Sequence, residues 1–250
     1  ILLAGIRADY SEKYDFFVTP RVHIKYNPFD WFHVRASVGK GYRTANVLAE
    51  NNFLLASSRK MRIAENLDQE EAWNTGLNLS FYIPIAGKEL TLNGEWYYTD
   101  FNKQVVVDVD SNPHEVSFYN LEGSSYSNSF QLEATYPFFR GFTLTAAYRY
   151  TDAQTDYRNE AGLIYRMKKP LVSDYKGLLT ASYQTPLKKW QFDVTSQFNG
   201  GGRMPLPDTT HPLWDSKFKD YTVVNAQVTR FFRRWSVYVG SENLFDFTQD

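Results

Sequence analysis

Apolar and polar side chains alternate along most of this chain with the two-residue period of an extended strand. The clearest example is the segment 127–150, in which two alternating runs flank an aromatic turn at 137–141. One face of this segment carries Phe130, Leu132, Ala134 and Tyr136 before the turn and Phe142, Leu144, Ala146, Tyr148 and Tyr150 after it. A helix would scatter these side chains around its circumference, so the pattern predicts a β-hairpin.

Aromatic residues stand at both ends of the apolar face of this hairpin. Tyr136, Phe138 and Phe139 lie beside the turn, and Tyr148 and Tyr150 lie at the far end. Aromatic rings collect at the two interfaces between lipid and water, so their placement indicates a hairpin that crosses a membrane. A soluble sandwich also alternates, but it would need a second layer to cover the apolar face.

The same design recurs along the whole chain and predicts eleven strands. Five connections are short, at 27–30, 84–88, 137–141, 185–189 and 231–234, and most of the others are long. Alternating short and long connections are typical of outer-membrane barrels, with short turns in the periplasm and long loops outside. The predicted outer loops are 42–69, 100–115, 151–174 and 199–220, and the strand beginning near residue 90 is expected to continue through Val107 to a tip at 110–114.

An odd number of strands does not close a bacterial barrel, so we expect strands to be missing at both ends. The first ten residues already alternate and lack a basic segment and a cleavage site, which indicates a fragment of a longer precursor rather than a signal peptide. The fold class predicted is therefore all-β: eleven antiparallel strands of a larger transmembrane β-barrel.

Composition supports spanning by strands. The chain has 250 residues, of which 43% are hydrophobic and 17% aromatic, yet its mean hydropathy is -0.47. No apolar run approaches the roughly 18 residues that a transmembrane helix needs. The formal net charge of -1 and the scattered basic residues give no basis for nucleic-acid binding, and without cysteine there is no disulfide framework or thiolate metal site.

Four segments resemble motifs of TonB-dependent outer-membrane receptors. Residues 39–46, GKGYRTAN, are similar to the family's G-x-G-[FY]-R-x-[AP]-N segment, and 70–76, EEAWNTG, to the start of its next strand. Residues 129–133, SFQLE, resemble a later strand, and 240–246, GSENLFD, resemble the penultimate-strand motif G-x-x-N-L-F-[DN]. All four occur in the family's order, and the loops also resemble those of members from Bacteroidetes.

The resemblance implies a 22-stranded barrel filled by an N-terminal plug domain, with uptake powered by the TonB complex. Residues 1–250 would form part of this one transmembrane domain, roughly strands eleven to twenty-one, without the plug and the final strand. The implied location is the bacterial outer membrane. The implied partners are outer-membrane lipid, the protein's own plug, the TonB complex, a small-molecule or metal-chelate ligand and a surface lipoprotein. Neither a cofactor nor catalysis is implied.

The outer loops are expected to capture the ligand, a scarce bulky molecule such as a siderophore, haem or cobalamin. Aromatic and arginine side chains dominate recognition surfaces. The candidate ligand contacts are Arg59, Tyr119, Tyr126, Tyr157, Tyr165 and Trp214.

Four further residues are expected to contact the plug or neighbouring loops rather than the ligand. Arg43 and Asn46 lie in the first motif, where a strand becomes a loop. Glu133 and Arg149 fall on the polar face of the central hairpin, which points into the lumen. A ligand role for Arg43 is conceivable because a guanidinium suits anionic ligands.

Metal and catalytic sites receive little support from the sequence. His23 and His33 are a possible metal pair across the turn at 27–30, but no third ligand is in view. Asp108 and Asp110 lack the oxygen spacing of a calcium loop. His114 and His211 lie in predicted loops without an accompanying serine or acid motif, so we expect neither a resident metal nor an enzyme.

Two alternatives share the periodicity. A passive porin or structural barrel would have the same alternating strands but no plug. A soluble all-β binding module would have to cover side chains such as Trp96, Phe130, Leu144, Phe192 and Val237 with a second layer.

Overall fold

The protein, seen in a computed structural model, is described at residues 1–159, 161–205 and 215–248, and it is built almost entirely of strands. In chain order the elements are β1 (Leu2–Ser11), β2 (Asp15–Phe29), β3 (Phe32–Arg43), α1 (Val47–Glu50), a 3₁₀ helix (Asn52–Ala56), β4 (Lys60–Ile63), β5 (Glu70–Ile85), β6 (Lys88–Lys103), β7 (Val105–Asp108), β8 (Glu115–Asn120), β9 (Ser125–Phe139), β10 (Phe142–Arg158), β11 (Ile164–Lys168), β12 (Tyr175–Gln184), β13 (Trp190–Asn199), β14 (Gly202–Arg203), β15 (Lys217–Phe218), β16 (Tyr221–Phe231) and β17 (Ser236–Ser241).

Eleven of these strands form one antiparallel sheet, which confirms the predicted number and class. Their order is β1-β2-β3-β5-β6-β9-β10-β12-β13-β16-β17, so each strand pairs with the next main strand along the chain. The short β11 adds to the outer end of β10. Nearly all the main strands have 10 residues or more, which is enough for a tilted strand to cross a membrane.

The five predicted short turns join main strands directly. The turn between β9 and β10, for example, consists of Arg140 and Gly141 alone. The long connections all leave from the opposite edge of the sheet, as the strand count predicted. The connection between β1 and β2 at this opposite edge is also short, because only residues 12–14 separate the two strands.

The strand that begins near residue 90 was predicted too long. The strand leaves the main sheet after Lys103, and the residues that follow, Val105–Asp108, form the separate strand β7. There β7 pairs with β8 and β8 pairs in parallel with β4, forming a separate three-stranded sheet outside the barrel wall. The predicted tip at 110–114 does lie between β7 and β8. Strong β propensity alone could not reveal which sheet residues 105–108 would join.

The apolar face of the main sheet is left uncovered. Trp96, Phe130, Phe192 and Val237 are between 38% and 48% exposed. Within the described ranges, buried hydrophobic side chains come from the outer loops and the outer end of β10. The expected second layer of a soluble sandwich is therefore missing from this part of the chain. A single-layer wall of this kind is stable where lipid covers its apolar face. No helix among the described residues is long and apolar enough to cross a membrane.

Aromatic rings gather at both edges of the sheet. At the short-turn edge, Phe139 stacks on Phe142 with ring centroids 4.8 Å apart, and Phe232 stacks on Trp235 at 3.9 Å. At the other edge, Tyr148 stacks on Tyr175 at 6.0 Å. Two such belts are what the two membrane interfaces select, because the rings combine an apolar body with a polar or polarisable edge.

Glycine at position 141 is required by the tight turn of the central hairpin. Its φ is +85°, and a Cβ there would lie 2.1 Å from the carbonyl oxygen of Gln184. Gly87, in the corresponding turn between β5 and β6, has a φ of +74° but no atom within 4 Å of such a Cβ.

We expect Gly87→Ala to cost about 1 kcal/mol, the usual strain of a left-handed residue, and Gly141→Ala to cost at least twice as much. The additional loss arises because the backbone of Gln184 must shift. The measurement is the free energy of unfolding of the full-length protein in detergent. Equal losses in the two variants would show that the clash at Gln184 is unimportant.

Candidate functional site

The outer loops form a packed body above the long-loop edge of the main sheet. Val47 and Leu54, from the connection between β3 and β5, pack with Val105, Val116 and Phe118 of the three-stranded sheet. The predicted outer loop 42–69 therefore supplies part of this core through its apolar side chains. Burial of such side chains fixes the first two outer loops against each other.

A second buried cluster joins this body to the barrel wall. Val106 and Tyr119 pack against Tyr157, which lies near the outer end of β10. The hydroxyl of Tyr119 donates to Asp108 at 3.3 Å and accepts the backbone N–H of Arg158 at 3.0 Å. Burial raises the pKa of Tyr157 to about 12, so this phenol stays neutral at physiological pH.

Arg203 joins the fourth outer loop to the second through an ion pair and to the third through a hydrogen bond. Arg203 donates from both terminal nitrogens to the two carboxylate oxygens of Asp110, each at 2.8 Å, and from Nε to the carbonyl oxygen of Lys168 at 2.8 Å. The side chains of Asp110 and Arg203 are 3% and 13% exposed. Burial lowers the pKa of Arg203, but hydrogen bonding and charge attraction from Asp110 outweigh it and the net pKa is raised.

An open cleft of about 1010 Å³ lies on the polar side of the wall, beneath these loops. Residues from β10, β12 and the last outer loop line it. Its charged and aromatic lining comprises Arg149, Lys176, Lys217, Lys219, Asp215, Asp220, Phe218, Tyr221 and Phe247. Four cations thus face two carboxylates, which makes the cleft basic.

One of the two carboxylates is already occupied by hydrogen bonds. Asp220 accepts the hydroxyl of Tyr175 at 2.7 Å and the backbone N–H of Gly201 at 2.5 Å. These bonds lower the pKa of Asp220, with the Tyr175 contribution the larger, and so hold it as a carboxylate. Tyr221 stacks on Phe247 with ring centroids 4.9 Å apart, giving the cleft an aromatic wall beside its cations.

The five predicted ligand contacts that the structure describes are distributed over the loop body rather than gathered in this cleft. Tyr119 and Tyr157 are buried within the second cluster, and Tyr165 packs at its edge. Arg59 donates to the carbonyl oxygen of Val109 at 3.3 Å, and Tyr126 donates to Asp152 at 3.0 Å. Their roles in ligand binding stay predictions. Trp214 and His211 fall outside the described residues.

The predicted plug or loop contacts occupy two regions. Arg43 lies within 2.5 Å of a Glu70 oxygen and 2.9 Å of one from Glu50, and Asn46 caps α1 by accepting the N–H of Ala49. Arg43 therefore ties the end of β3 to the loop behind it. Contact with a plug stays a prediction for both residues.

Glu133 and Arg149 share the polar face of the central hairpin, as the alternation predicted. Glu133 of β9 is paired with Ala147 of β10. Arg149 lies two residues beyond Ala147 on β10, so it points to the same face as Ala147 and Glu133. Arg149 donates from Nε to the side-chain oxygen of Gln131 at 2.9 Å and lines the basic cleft. Its position suits contact with a ligand as well as contact with a plug.

The idea that His23 and His33 face each other is wrong. His23 is paired with Ser37, four residues along β3 from His33, a separation of about 13 Å along the strand. Asp108 and Asp110 are engaged by protein donors, the first by the N–H groups of Asp110 and Ser111 and the second by Arg203. In the described parts of the chain no three His, Cys, Asp or Glu side chains form a metal-binding group.

Several residues of the cleft and its supporting network were missed from the sequence. Lys176 is at the cross-strand position directly opposite Arg149, so following the alternation of β12 back from Thr180 would have placed it on the luminal face. Lys217, Lys219 and Arg203 lie in the connection between β13 and β16, whose sequence carries no periodicity. No local signal indicates that Arg203 meets Asp110, 93 residues earlier.

Together these features define a class of protein: a membrane-spanning β-barrel wall whose packed outer loops cover a polar cleft. The chain belongs to the family of TonB-dependent receptor-like β-barrels, whose sequence model matches residues 1–244. Members of this family are receptors and transporters of the outer membrane of Gram-negative bacteria, which locates this chain in that membrane. A search of curated protein sequences finds no match.

Solved structures of outer-membrane receptors share the fold. A mutant of the ferric enterobactin receptor PfeA from Pseudomonas aeruginosa superposes with a TM-score of 0.70 at 15% identity, covering 98% of this chain and 37% of that one. The siderophore receptor PirA from Pseudomonas aeruginosa gives 0.66 at 17% identity, with coverages of 99% and 40%. The copper transporter OprC gives 0.67 at 11% identity, with coverages of 94% and 34%. The chain thus spans well under half the length of these receptors.

Proposed function

We propose that the full-length protein imports a bulky anionic metal chelate of the siderophore class by TonB-dependent transport. The observation that carries this proposal is the basic, aromatic-walled cleft beneath the outer loops. Cationic side chains in a partly enclosed site attract an anionic ligand, and the flat faces of Phe218, Tyr221 and Phe247 suit aromatic or conjugated chelating groups. The names of PfeA and PirA, both siderophore receptors, support the same ligand class.

In this proposal residues 1–250 supply part of the barrel domain, and a plug and the remaining strands complete it. Arg149 and Lys176 stand side by side on the luminal face and would meet the ligand after the outer loops have captured it. Arg59 and Tyr126 would act at the loops, and Glu133, on the luminal face, would contact the plug. Energy would come from the TonB complex, and a surface lipoprotein would be a further partner.

Uptake of radiolabelled ferric chelates tests the proposal. The full-length protein would be produced in a Gram-negative strain from which the native siderophore receptors have been deleted. We expect uptake of a ferric catecholate to require the protein, to exceed uptake of an uncharged ferric hydroxamate, and to stop when a protonophore removes the energy source.

A passive barrel gives a different result. It would admit small sugars in a liposome-swelling assay and would continue to do so without energy. Permeation of this kind, together with chelate entry that a protonophore leaves unchanged, would refute active transport. Energy-dependent uptake that prefers the uncharged chelate would preserve active transport and refute only the anionic ligand.

A further inference from the structure

An arginine lies on the lipid-facing side of the wall, close to the short-turn edge. In the sheet, Arg230 of β16 is paired with Trp190 of β13 on one side and with Val237 of β17 on the other. Cross-strand partners share a face, and this face continues through the exposed side chains of Phe192 and Val228. Lipid-facing positions of a barrel rarely hold a cation, because lipid provides no hydrogen-bond acceptors in its hydrocarbon region.

Aromatic rings hold the guanidinium of Arg230 in place. Its central carbon lies 4.4 Å from the ring centroid of Trp190 and 5.4 Å from that of Phe232. Phe232 is itself held by stacking on Trp235. The Nε–H is buried without an acceptor, and within the described residues the side chain forms no ion pair. The guanidinium of Arg230 is thus held in a fixed position and has no anionic partner among the described residues.

The two turns beside this arginine are also cationic. The backbone N–H of Phe231 donates to the carbonyl oxygen of Lys189 at 2.8 Å, which joins the turns at 185–189 and 232–235. These turns contribute Lys188, Lys189, Arg233 and Arg234 and contain no acidic residue. Five basic residues therefore lie in these two turns and at the adjoining end of β16, at the edge of the apolar face.

We propose that this basic cluster, formed by Arg230 and the four turn residues, binds the headgroup of an anionic phospholipid in the periplasmic leaflet, with Arg230 receiving the phosphate. Short turns face the periplasm in such barrels, which places the cluster at that leaflet. The exposed apolar face beside Arg230 provides the surface for the acyl chains. A zwitterionic headgroup suits the cluster less well, because its ammonium is repelled by the four turn cations.

Native mass spectrometry of the full-length protein in a neutral detergent tests this site. The protein would be titrated with phosphatidylglycerol and, separately, with phosphatidylcholine of the same acyl chains. We expect preferential retention of phosphatidylglycerol, and we expect Arg230→Gln to weaken that retention about tenfold, since a hydrogen bond to a charged group is lost. Arg140→Gln, which removes an exposed cation at a different turn, should leave it unchanged.

Equal retention of the two lipids by the unmodified protein would overturn the proposal without recourse to any variant. The proposal would also fail if the Arg230→Gln protein, folded as judged by heat-resistant migration in gels, retained phosphatidylglycerol as well as the unmodified protein does. Displacement of the lipid by inorganic phosphate would show that the cluster binds free anions rather than a lipid surface. Chelate uptake is not involved, so the outcome is independent of the transport proposal.

Discussion

Replacement of Arg203 by methionine should release the last outer loop from the loop body, with a loss of about 3–5 kcal/mol in local stability. The large effect is expected because the substitution leaves the carboxylate of Asp110, only 3% exposed, without its bidentate partner. Hydrogen exchange followed by mass spectrometry should show faster exchange at residues 108–111, 165–168 and 201–204.

Two further variants separate the ion pair from general damage. Arg7→Met breaks a pair with Asp9 whose side chains are 76% and 27% exposed, and it should change exchange little, because exposed pairs contribute at most about 1 kcal/mol. The double substitution Arg203→Met with Asp110→Leu removes both charges and should recover much of the lost protection. Unchanged exchange in Arg203→Met would mean that the loop is held by its backbone contacts alone.

Removal of two charges from the basic cleft is expected to weaken ligand binding strongly. Arg149→Gln and Lys176→Gln together should reduce the affinity for a ferric catecholate about 100-fold, since each lost charged contact contributes about 1.5 kcal/mol. Binding of an uncharged ferric hydroxamate should change far less. The measurement is isothermal titration of the full-length protein with each chelate.

The chain offers a closely matched control for this pair. Lys25 and Arg35 also face each other across neighbouring strands on the luminal side, but they lie near the periplasmic turn between β2 and β3. Lys25→Gln with Arg35→Gln makes the same charge change far from the cleft and should leave catecholate affinity within about twofold. Equal losses in the two double variants would mean that overall luminal charge, not the cleft, governs binding.

The central hairpin illustrates how much of the wall its residues encode locally. Alternation alone assigned Glu133 and Arg149 to one face and Phe130 and Leu132 to the other, and the ladder between β9 and β10 has that arrangement. The prediction succeeded because a strand has a period of two and each face meets a different medium, lipid or water. The short turns could be predicted equally well, since few residue types suit tight turns.

The outer loops were far less predictable. Val105, Val106 and Val107 have the composition of a continuing strand, and their departure into a separate sheet depends on partners in β4 and β8. Parallel pairing between β4 and β8 joins segments more than fifty residues apart, and no local pattern encodes such a partner. The predicted ligand contact at Tyr119 was chosen for its residue type, whereas its burial is set by these same distant contacts.

The sequence by itself determined the class of fold, the number of main strands, the direction of each face and the membrane in which the chain lies. The first three follow from periodicity and from interfacial aromatic residues, which report the surrounding medium residue by residue. The membrane follows from the four segments that resemble motifs of TonB-dependent receptors. Tertiary structure alone decided that Asp110 meets Arg203, that Lys176 and Arg149 share a cleft with Lys217, and that Arg230 rests on Trp190 without an acceptor. Each of these depends on where distant segments are brought together, and that information is held by packing and register rather than by any local run of residues.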